Sequence, residues 1–409
     1  MLNFEWKSTL AVAAVSASLL SFSSVASPAT EMKSAGALSF GPENVLFVGD
    51  TFGGKVVALD VSDVVTSQLD YALGRAETFE GRAIIADLRA ELGTLLAAPA
   101  DQIIVNDVAV HSEAKQIFLS GQRGLGPDAL PFVATVDKGV LTILDLPPLV
   151  VDMHVLQSPA GDADLEFGQP ARNYAITDID YYDGEIFIAG VSGESFNSTL
   201  RRVAFPFEED RASETQIEIW HAVHAQWETR APIIAQTIVE IDGVPTLIAV
   251  YACTPLVRIP LADLKDGAQI RGEMIAELGY GNSPVDIVPF VNSMDGSQNV
   301  LITHTNRTAN QIPVTAIGKA EPMPVEVGNN FGPAGLTGFP VPANGIQHLA
   351  MIDEVWAVAV RPDPHDPGKL QLHTILAPFF FDRADHMVEM NWPGSPDPFG
   401  YRKFPPLDL

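Results

Sequence analysis

The feature that most constrains the fold is a recurring pattern of short apolar strands separated by turns. Each copy has an apolar run, a turn that contains Asp with Gly or a similar residue, and then a very apolar strand core. The shortest step between cores, from Leu247 to Val300, is 53 residues, and the longest, from Leu46 to Ile117, is 71. A step of this length has room for four short strands and their loops. The remaining strand cores begin near Ile186 and Val355.

Repeated units of four antiparallel strands are typical of β-propellers. The third unit shows four candidate strands, with the sequences ITDIDYY, EIFIAGV, TLRRVAF and TQIEIWHAV. We therefore predict an all-β chain that forms a β-propeller, with six blades favoured over seven. Seven blades stay open because residues 372–390 could form a blade remnant or pair with the first strand. An array of β-sandwiches is the alternative, which the irregular spacing and the lack of linkers disfavour.

Helical periodicity is confined to one segment of the chain. Ile85, Leu88, Leu92 and Leu95 recur at three- and four-residue steps, and a proline follows shortly afterwards. We predict one helical insertion near residues 84–97, inside the first unit.

The first 26 residues have the features of a secretory signal peptide. Lys7 precedes an apolar, small-residue run, and Ala26 ends a short segment of small residues that suits cleavage. We predict that residues 1–26 are removed and that residues 27–409 form a single propeller domain in the periplasm or outside the cell. An uncleaved anchor is the alternative, but the apolar run is short and rich in serine, and no later segment is long enough to span a membrane.

The charge balance excludes two classes of partner. The net charge of −27 argues against binding to nucleic acid, which needs clustered Lys and Arg, and against anionic membrane surfaces. We expect a small-molecule or protein ligand instead; nothing in the sequence indicates an oligomeric state. Cys253 is the single cysteine, so no internal disulfide can form. It lies in an apolar run, and we interpret it as a small buried hydrophobe, with a catalytic thiol as the alternative.

Several segments resemble exported bacterial propellers. The stretch LSFGPENVLFVGDTFGGKVVALD resembles opening blades of the broad NHL, YVTN and SMP-30-like kind. Other segments resemble a group of uncharacterised exported bacterial propeller proteins, namely STLRRVAFPF, ETRAPI, YACTPLVRIPLADLKDG and AELGYGNSPVDIV. The resemblance covers most of the mature chain and implies a propeller fold and export. It implies no activity, and the catalytic patterns of calcium-dependent propeller lactonases are not matched.

Polar residues near the start of predicted innermost strands are the first site candidates. In a propeller these strands line the central channel, and loops at one end of it usually hold ligands. The candidates are Asn106, Asp107, Thr177, Asp178, Asp180, Asn282, Asp286, Gln347 and His348. Their oxygen atoms suit calcium. The alternative is that they hydrogen-bond backbone groups where strands begin.

The stretch WHAVHAQWETRAPI holds a second candidate site. His221 and His224 would point to opposite sides of an extended strand, so they can share a metal only if the chain turns between them. Two histidines are an incomplete site for zinc or copper. The candidates for a third ligand are His304, His348, Asp178 and Asp286.

The alternative for this stretch is a loop that leads to the next blade. Trp220 and Trp227 would then pack, and Glu228 would pair with Arg230 or Arg202.

A third candidate follows a buried strand core. His304 is followed by Asn306 and Arg307, and this group could orient an anionic substrate with Arg307 as a bidentate clamp. A loop histidine with satisfied hydrogen bonds is the alternative.

The sequence thus predicts an exported small-molecule-binding propeller with its site at the mouth of the central channel. Calcium and a transition metal are both open as cofactors. A metal-dependent hydrolase or oxidoreductase and a protein-interaction scaffold are the alternatives. An enzyme requires at least three of the candidate groups to converge on one point.

Overall fold

A computed structural model describes most of the chain, and all of its helices and strands lie after Met32. The described residues are 31–69, 81–126, 128–162, 170–208, 212–292, 295–323, 332–341, 345–363 and 366–377. The predicted signal peptide and most of the predicted seventh-blade remnant lie outside them.

The described residues form 26 strands and two α-helices. The first strands are β1 (Leu38–Phe40), β2 (Val45–Asp50), β3 (Lys55–Asp60), β4 (Ala83–Ile85), β5 (Ile103–Val110), β6 (Ile117–Arg123), β7 (Leu130–Asp137), β8 (Val140–Ile143) and β9 (Val150–Val155). Then come β10 (Asp178–Tyr182), β11 (Glu185–Val191), β12 (Ser198–Ala204), β13 (Ala212–His221), β14 (Gln226–Glu228), β15 (Ile233–Ile241), β16 (Val244–Tyr251), β17 (Pro255–Pro260) and β18 (Gln269–Glu277). The last are β19 (Pro284–Val291), β20 (Gln298–His304), β21 (Ala309–Pro313), β22 (Ala334–Gly335), β23 (Phe339–Val341), β24 (His348–Met351), β25 (Trp356–Pro362) and β26 (Leu370–Leu376). The helices are α1 (Leu88–Leu96) and α2 (Val314–Lys319).

The strands form four four-stranded sheets and one larger sheet. The four are β1-β2-β3-β9, β5-β6-β7-β8, β19-β20-β21-β23 and β24-β25-β26-β4. The ten-stranded sheet contains two antiparallel runs, β10 to β13 and β15 to β18, joined where β13 pairs in parallel with β18. The predicted all-β class and propeller-like arrangement are confirmed.

The strands that begin these sheets and runs contact one another in a closed order. The order is β1, β5, β24, β19, β15, β10 and back to β1. Buried apolar side chains fill the spaces between neighbours; for example, Phe187 and Ile217 pack with Leu247 and Ile259 between the two runs of the large sheet. The core is thus a set of apolar layers between sheets, as expected for strands that bury both faces.

The insertion in the first unit is larger than the sequence predicts. After β3 the chain supplies β4 to the sheet of β24 to β26, then forms α1 and the whole β5–β8 sheet, and only then returns to β9 beside β3. Spatial order therefore differs from chain order, which a repeat count along the sequence does not reveal.

The predicted helix over residues 84–97 is also shorter than expected. Ile85 lies in β4, where it pairs with Leu372, so the prediction was wrong for that residue. The Asp87 side chain accepts a hydrogen bond from the Ala90 amide at 3.1 Å, and this cap sets the start of α1. The helix ends before Ala97, which has φ +51°.

Neither of the helices in the described part of the chain has the length and apolar character required to cross a bilayer.

Candidate metal centre

The stretch that begins at Trp220 forms a tight hairpin. β13 ends at His221, a turn follows, and β14 runs back along β13. Ala225 in the turn adopts φ +51°, in the left-handed region. The rings of Trp220 and Trp227 pack edge to face across the hairpin, with centroids 5.8 Å apart. The chain therefore turns between His221 and His224. This turn is what the two side chains require in order to face the same metal ion.

Glu228 holds both imidazole rings. Nδ1 of His221 lies 3.0 Å from Oε2 of Glu228, and Nδ1 of His224 hydrogen-bonds Oε1. The ring centroids are 4.1 Å apart. Since an ionised carboxylate only accepts, each Nδ1 donates, and Nε2 of each ring is left for another partner. Arg202, one of the two predicted partners of Glu228, instead pairs with Glu185.

Cys253 completes the group. Its Sγ and one ring nitrogen from each of His221 and His224 all lie within 4.8 Å of one another. Cys253 is half-buried in the bend between β16 and β17, with φ +78°. Our interpretation of Cys253 as a buried hydrophobe was therefore wrong. β16 ends at Tyr251, so Cys253 belongs to the bend and not to the apolar strand.

A buried carboxyl group lies next to this cluster. Glu277 ends β18, pairs with Pro255 across the sheet and is 1% exposed. Neither of its carboxylate oxygens makes a hydrogen bond of good geometry with the residues that the structure describes, although the Thr254 hydroxyl and the Gly279 amide lie nearby. Thr254 lies beside Pro255, and its Oγ1 is 3.4 Å from Nε2 of His221 and 3.9 Å from Sγ of Cys253.

The surroundings of His221 and Glu228 favour a positively charged imidazole beside an ionised carboxylate. Burial opposes the charged form of His221, but hydrogen bonds and charge interactions with Cys253 and Glu228 raise its pKa to about 9. Burial likewise opposes ionisation of Glu228, yet hydrogen bonds from His221 and His224 lower its pKa to about 2. Burial raises the pKa of Glu277, and the Thr254 hydroxyl and the two imidazoles only partly oppose this.

The donor set matches a transition metal. Two imidazole nitrogens and a thiolate sulfur suit zinc or copper, whereas calcium and magnesium prefer oxygen ligands. A carboxylate behind a metal-ligating histidine fixes the orientation of the ring, which is the position that Glu228 occupies for both rings.

The other two predicted metal ligands lie elsewhere. His304 is buried, with Nδ1 3.0 Å from Nδ2 of Asn282 and Nε2 3.1 Å from Nδ2 of Asn310. His348 begins β24 and lies 3.8 Å from a carboxylate oxygen of Asp107. Burial lowers the pKa of each of these histidines to about 4. Neither joins the cluster of His221.

The predicted anion clamp is part of a local loop network. The Asn306 amide donates to Oδ1 of Asn282 at 3.1 Å, and its side chain donates to the Gly281 carbonyl at 2.8 Å. Arg307 is exposed and lies against Gly279, where a Cβ atom would come within 2.8 Å of the guanidinium. These contacts order the loops between β18 and β21.

Three predicted channel carboxylates share one geometry. In Asp107, Asp178 and Asp286, one oxygen accepts from the next amide of the same strand at 2.7–2.8 Å. The other oxygen accepts from an amide of the neighbouring strand at 2.7 Å; the donors are Leu38, Gln236 and Leu349. The carboxylates thus join β5 to β1, β10 to β15 and β19 to β24. We call this set the aspartate ring.

Asn106 beside the ring also bonds backbone, since its side chain donates to the Ala35 carbonyl at 2.8 Å. Burial and the nearby charge of Asp286 raise the pKa of Asp107 to about 8. Burial raises the pKa of Asp180 and of Asp286 to about 7, and that of Asp178 well above its usual value.

Sequence reasoning missed Cys253 and Glu277 as members of the metal centre. For Cys253 a signal was present, because the Thr-Pro pair that follows it interrupts the apolar run. For Glu277 no local signal exists, since its proximity depends on the pairing of β17 with β18.

Comparisons with known proteins add little to this geometry. No protein-family model matches the chain, and no curated protein matches its sequence. Among solved structures, the chain is similar to one described as "Crystal Structure of Mitotic Checkpoint Complex", with a TM-score of 0.31 and 8% identity. The match covers 91% of this chain and 99% of that chain. A likeness at this level carries no argument about function.

Proposed function

We propose that the protein is an exported propeller that binds zinc or copper through His221, His224 and Cys253 and presents the metal to a small molecule. The observation that carries the proposal is the convergence of these three donors within 4.8 Å, with both histidines held by Glu228. The site lies where β13 and β16 end, on strands other than β1, β5, β10, β15, β19 and β24, which begin the sheets and runs.

The geometry needs only a small contraction around the metal. Zinc binds nitrogen at about 2.0–2.1 Å and thiolate sulfur at about 2.3 Å in a tetrahedral arrangement. His224 and Cys253 are both partly exposed, so their side chains can adjust. Metal binding would compete with protons, because a ring nitrogen and a sulfur must be deprotonated to coordinate.

A small molecule could reach this metal. The His224 side chain is 31% exposed, and Cys253 is half-buried. Three protein ligands leave the fourth position of a tetrahedral ion open, as in catalytic zinc sites. The metal could therefore hold water or a ligand from solution.

The proposal includes six blades and the resemblance to NHL, YVTN and SMP-30-like propellers. The closed order of β1, β5, β24, β19, β15 and β10 supports six, with the two runs of the ten-stranded sheet taken as two blades. The parallel β13–β18 pair would then be a contact between adjacent blades.

Export is tested by sequencing the N-terminus of the protein recovered from the periplasm or medium of a bacterial host. A mature N-terminus at Ser27 supports cleavage after Ala26, and a protein retained inside the cell with its first residues intact argues against export.

Metal binding is tested by elemental analysis of the untagged protein. The wild type is compared with a His221→Gln/His224→Gln variant, and a His304→Gln/His348→Gln variant is the matched control. We expect about one equivalent of zinc or copper in the wild type and the control, and none in the first variant. Absence of a transition metal from the wild type would contradict the proposal, and calcium in all three would move the site to the aspartate ring.

A second candidate function uses the same residues without a metal. Cys253, His221 and Glu228 lie next to one another in the order nucleophile, base and orienting carboxylate, with the His221 and Cys253 ligand atoms within 4.8 Å and His221 hydrogen-bonded to Glu228. Rapid alkylation of Cys253 in metal-free protein, slowed by His221→Gln, would favour this function. Slow alkylation of Cys253 in both the wild type and His221→Gln would contradict this second function.

A further inference from the structure

Glu277 is a buried carboxyl group whose own contacts do not explain its position. The residue is 1% exposed, and neither of its carboxylate oxygens makes a hydrogen bond of good geometry with the described residues. A buried polar group without a partner destabilises the fold, so such groups are rare and concentrate at functional sites.

The surroundings of Glu277 connect it to the metal centre. The Leu278 amide donates to the Thr254 carbonyl at 2.9 Å, which fixes the end of β18 against the bend that carries Cys253. Glu277 pairs with Pro255, two residues from Cys253, and Oγ1 of the intervening Thr254 lies 3.4 Å from Nε2 of His221. Yet Glu277 is not among the side chains whose ligand atoms converge within 4.8 Å. Glu277 therefore lies beside the proposed metal site without being one of its converging donors.

We propose that Glu277 accepts a proton from a water molecule held at the fourth position of the metal, which makes the centre hydrolytic toward small uncharged carboxylic esters. The proposal rests on the proposed metal site. It adds a reaction class and a catalytic residue.

The reaction balances without a further reactant. Glu277 takes a proton from the metal-bound water, and the resulting hydroxide oxygen forms a bond to the ester carbonyl carbon. The bond from that carbon to the leaving oxygen then breaks, and the leaving alkoxide takes the proton from Glu277. The products are a carboxylic acid and an alcohol.

The charges around the centre favour an uncharged ester. Glu228 and Glu277 lie beside the donors, Cys253 would coordinate as a thiolate, and the net charge of the chain is −27. An anionic ester would be repelled, whereas a small neutral one can approach past His224 and Cys253.

The test uses 4-nitrophenyl acetate with the wild type and Glu277→Gln, each assayed for metal content, hydrolysis and thermal stability. Gln has the same shape but accepts no proton from water. We expect Glu277→Gln to retain one equivalent of metal, to hydrolyse the ester about 100-fold more slowly and to melt no lower than the wild type. Glu273→Gln, on the same strand but half-exposed and paired with Arg258, is the matched control and should hydrolyse like the wild type.

Four outcomes would overturn the proposal. Equal hydrolysis by the wild type and Glu277→Gln, with metal bound in both, would show that Glu277 has no catalytic role, while the proposed metal site would still be supported. Loss of metal in Glu277→Gln makes Glu277 a ligand. Hydrolysis by the wild type that survives a chelator assigns the chemistry to the protein alone. A wild type that binds no metal would contradict the proposed function itself.

Discussion

The aspartate ring and the metal centre are both clusters of buried or half-buried ionisable groups, but they differ in what their polar atoms contact. In the ring, both oxygens of Asp178 accept backbone hydrogen bonds, one within β10 and one from β15. In the metal centre, neither oxygen of Glu277 makes a hydrogen bond of good geometry with the described residues, and the donor atoms of Cys253 and the two histidines face one another.

The comparison separates structural from functional polar groups. A carboxylate whose oxygens are all engaged by amides has little capacity left for a ligand, and it stabilises the pairing of neighbouring strands. Donor atoms of several side chains that face one another, by contrast, can hold an ion between them. The aspartate ring therefore joins neighbouring sheets and runs of strands. The metal centre is the candidate for ligand binding.

The largest effect is expected from Asp178→Ala. The change leaves the amides of Ile179 and Gln236 without their acceptor, and each buried unsatisfied donor costs about 1–3 kcal/mol. We expect the free energy of unfolding to fall by about 2–6 kcal/mol, measured by chemical denaturation. The exposed Asp145→Ala is the control and should change it by less than about 0.5 kcal/mol. A stability of Asp178→Ala like that of the control would contradict the joining role.

A smaller effect, on metal affinity, is expected from Glu228→Gln. The amide cannot accept from both imidazoles as the carboxylate does, so the rings lose their fixed orientation. We expect a loss of about 10- to 100-fold in metal affinity by competition with a chelator. The exposed Glu354→Gln should retain wild-type affinity, and unchanged affinity in Glu228→Gln would show that the histidines need no support.

The aspartate ring also predicts a pH dependence of stability. Because the pKa of Asp107 is raised to about 8 and that of Asp286 to about 7, the folded state binds protons more tightly than the unfolded chain. The stabilisation is complete below the ordinary carboxyl pKa and is lost as the pH rises toward 7–8. Asp178, Asp180 and His348 are the other titratable groups in this region.

We therefore expect a lower melting temperature at pH 8 than at pH 5, measured at one ionic strength. The difference should shrink in Asp286→Asn, because that group no longer titrates. A melting temperature that rises over this interval would mean that the ring carboxylates are already ionised at pH 5.

The smallest effect is expected from Arg307→Ala. Arg307 is exposed, and its neighbours belong to a loop network outside the metal centre. We expect unchanged metal content and a change in the free energy of unfolding of less than about 0.5 kcal/mol. Loss of affinity for an anionic ligand in this variant would instead support the clamp that the sequence suggests.

The strand pattern and the channel carboxylates could be predicted because they depend on local sequence. The Asp-Gly turn at 183–184 and the apolar core of β11 identify a hairpin, and Asp178 stands at the start of its first strand. The structure finds these elements where the pattern predicts them.

The metal centre could be predicted only in part because it depends on tertiary contacts. The left-handed φ of Ala225, which an alanine rarely adopts, aligns His221 with His224. Cys253 reaches them from the other run of the same sheet, about thirty residues away in the chain. The order of strands within the sheets could not be predicted for the same reason. β4 joins a sheet whose other strands lie near the opposite end of the described chain.

That placement of β4 has a consequence for how the molecule is made. The Arg82 amide donates to Oγ1 of Thr374 at 3.0 Å, a contact between residues 292 positions apart. Such a contact cannot form until residue 374 has left the ribosome, and closing so long a loop is entropically costly and slow. Before β4 pairs with it, β26 presents an unpaired edge, the kind of surface on which nascent chains associate. The segment from residue 81 to 85 thus pairs late in folding, and it then covers the edge through which the newly made protein could associate with other chains.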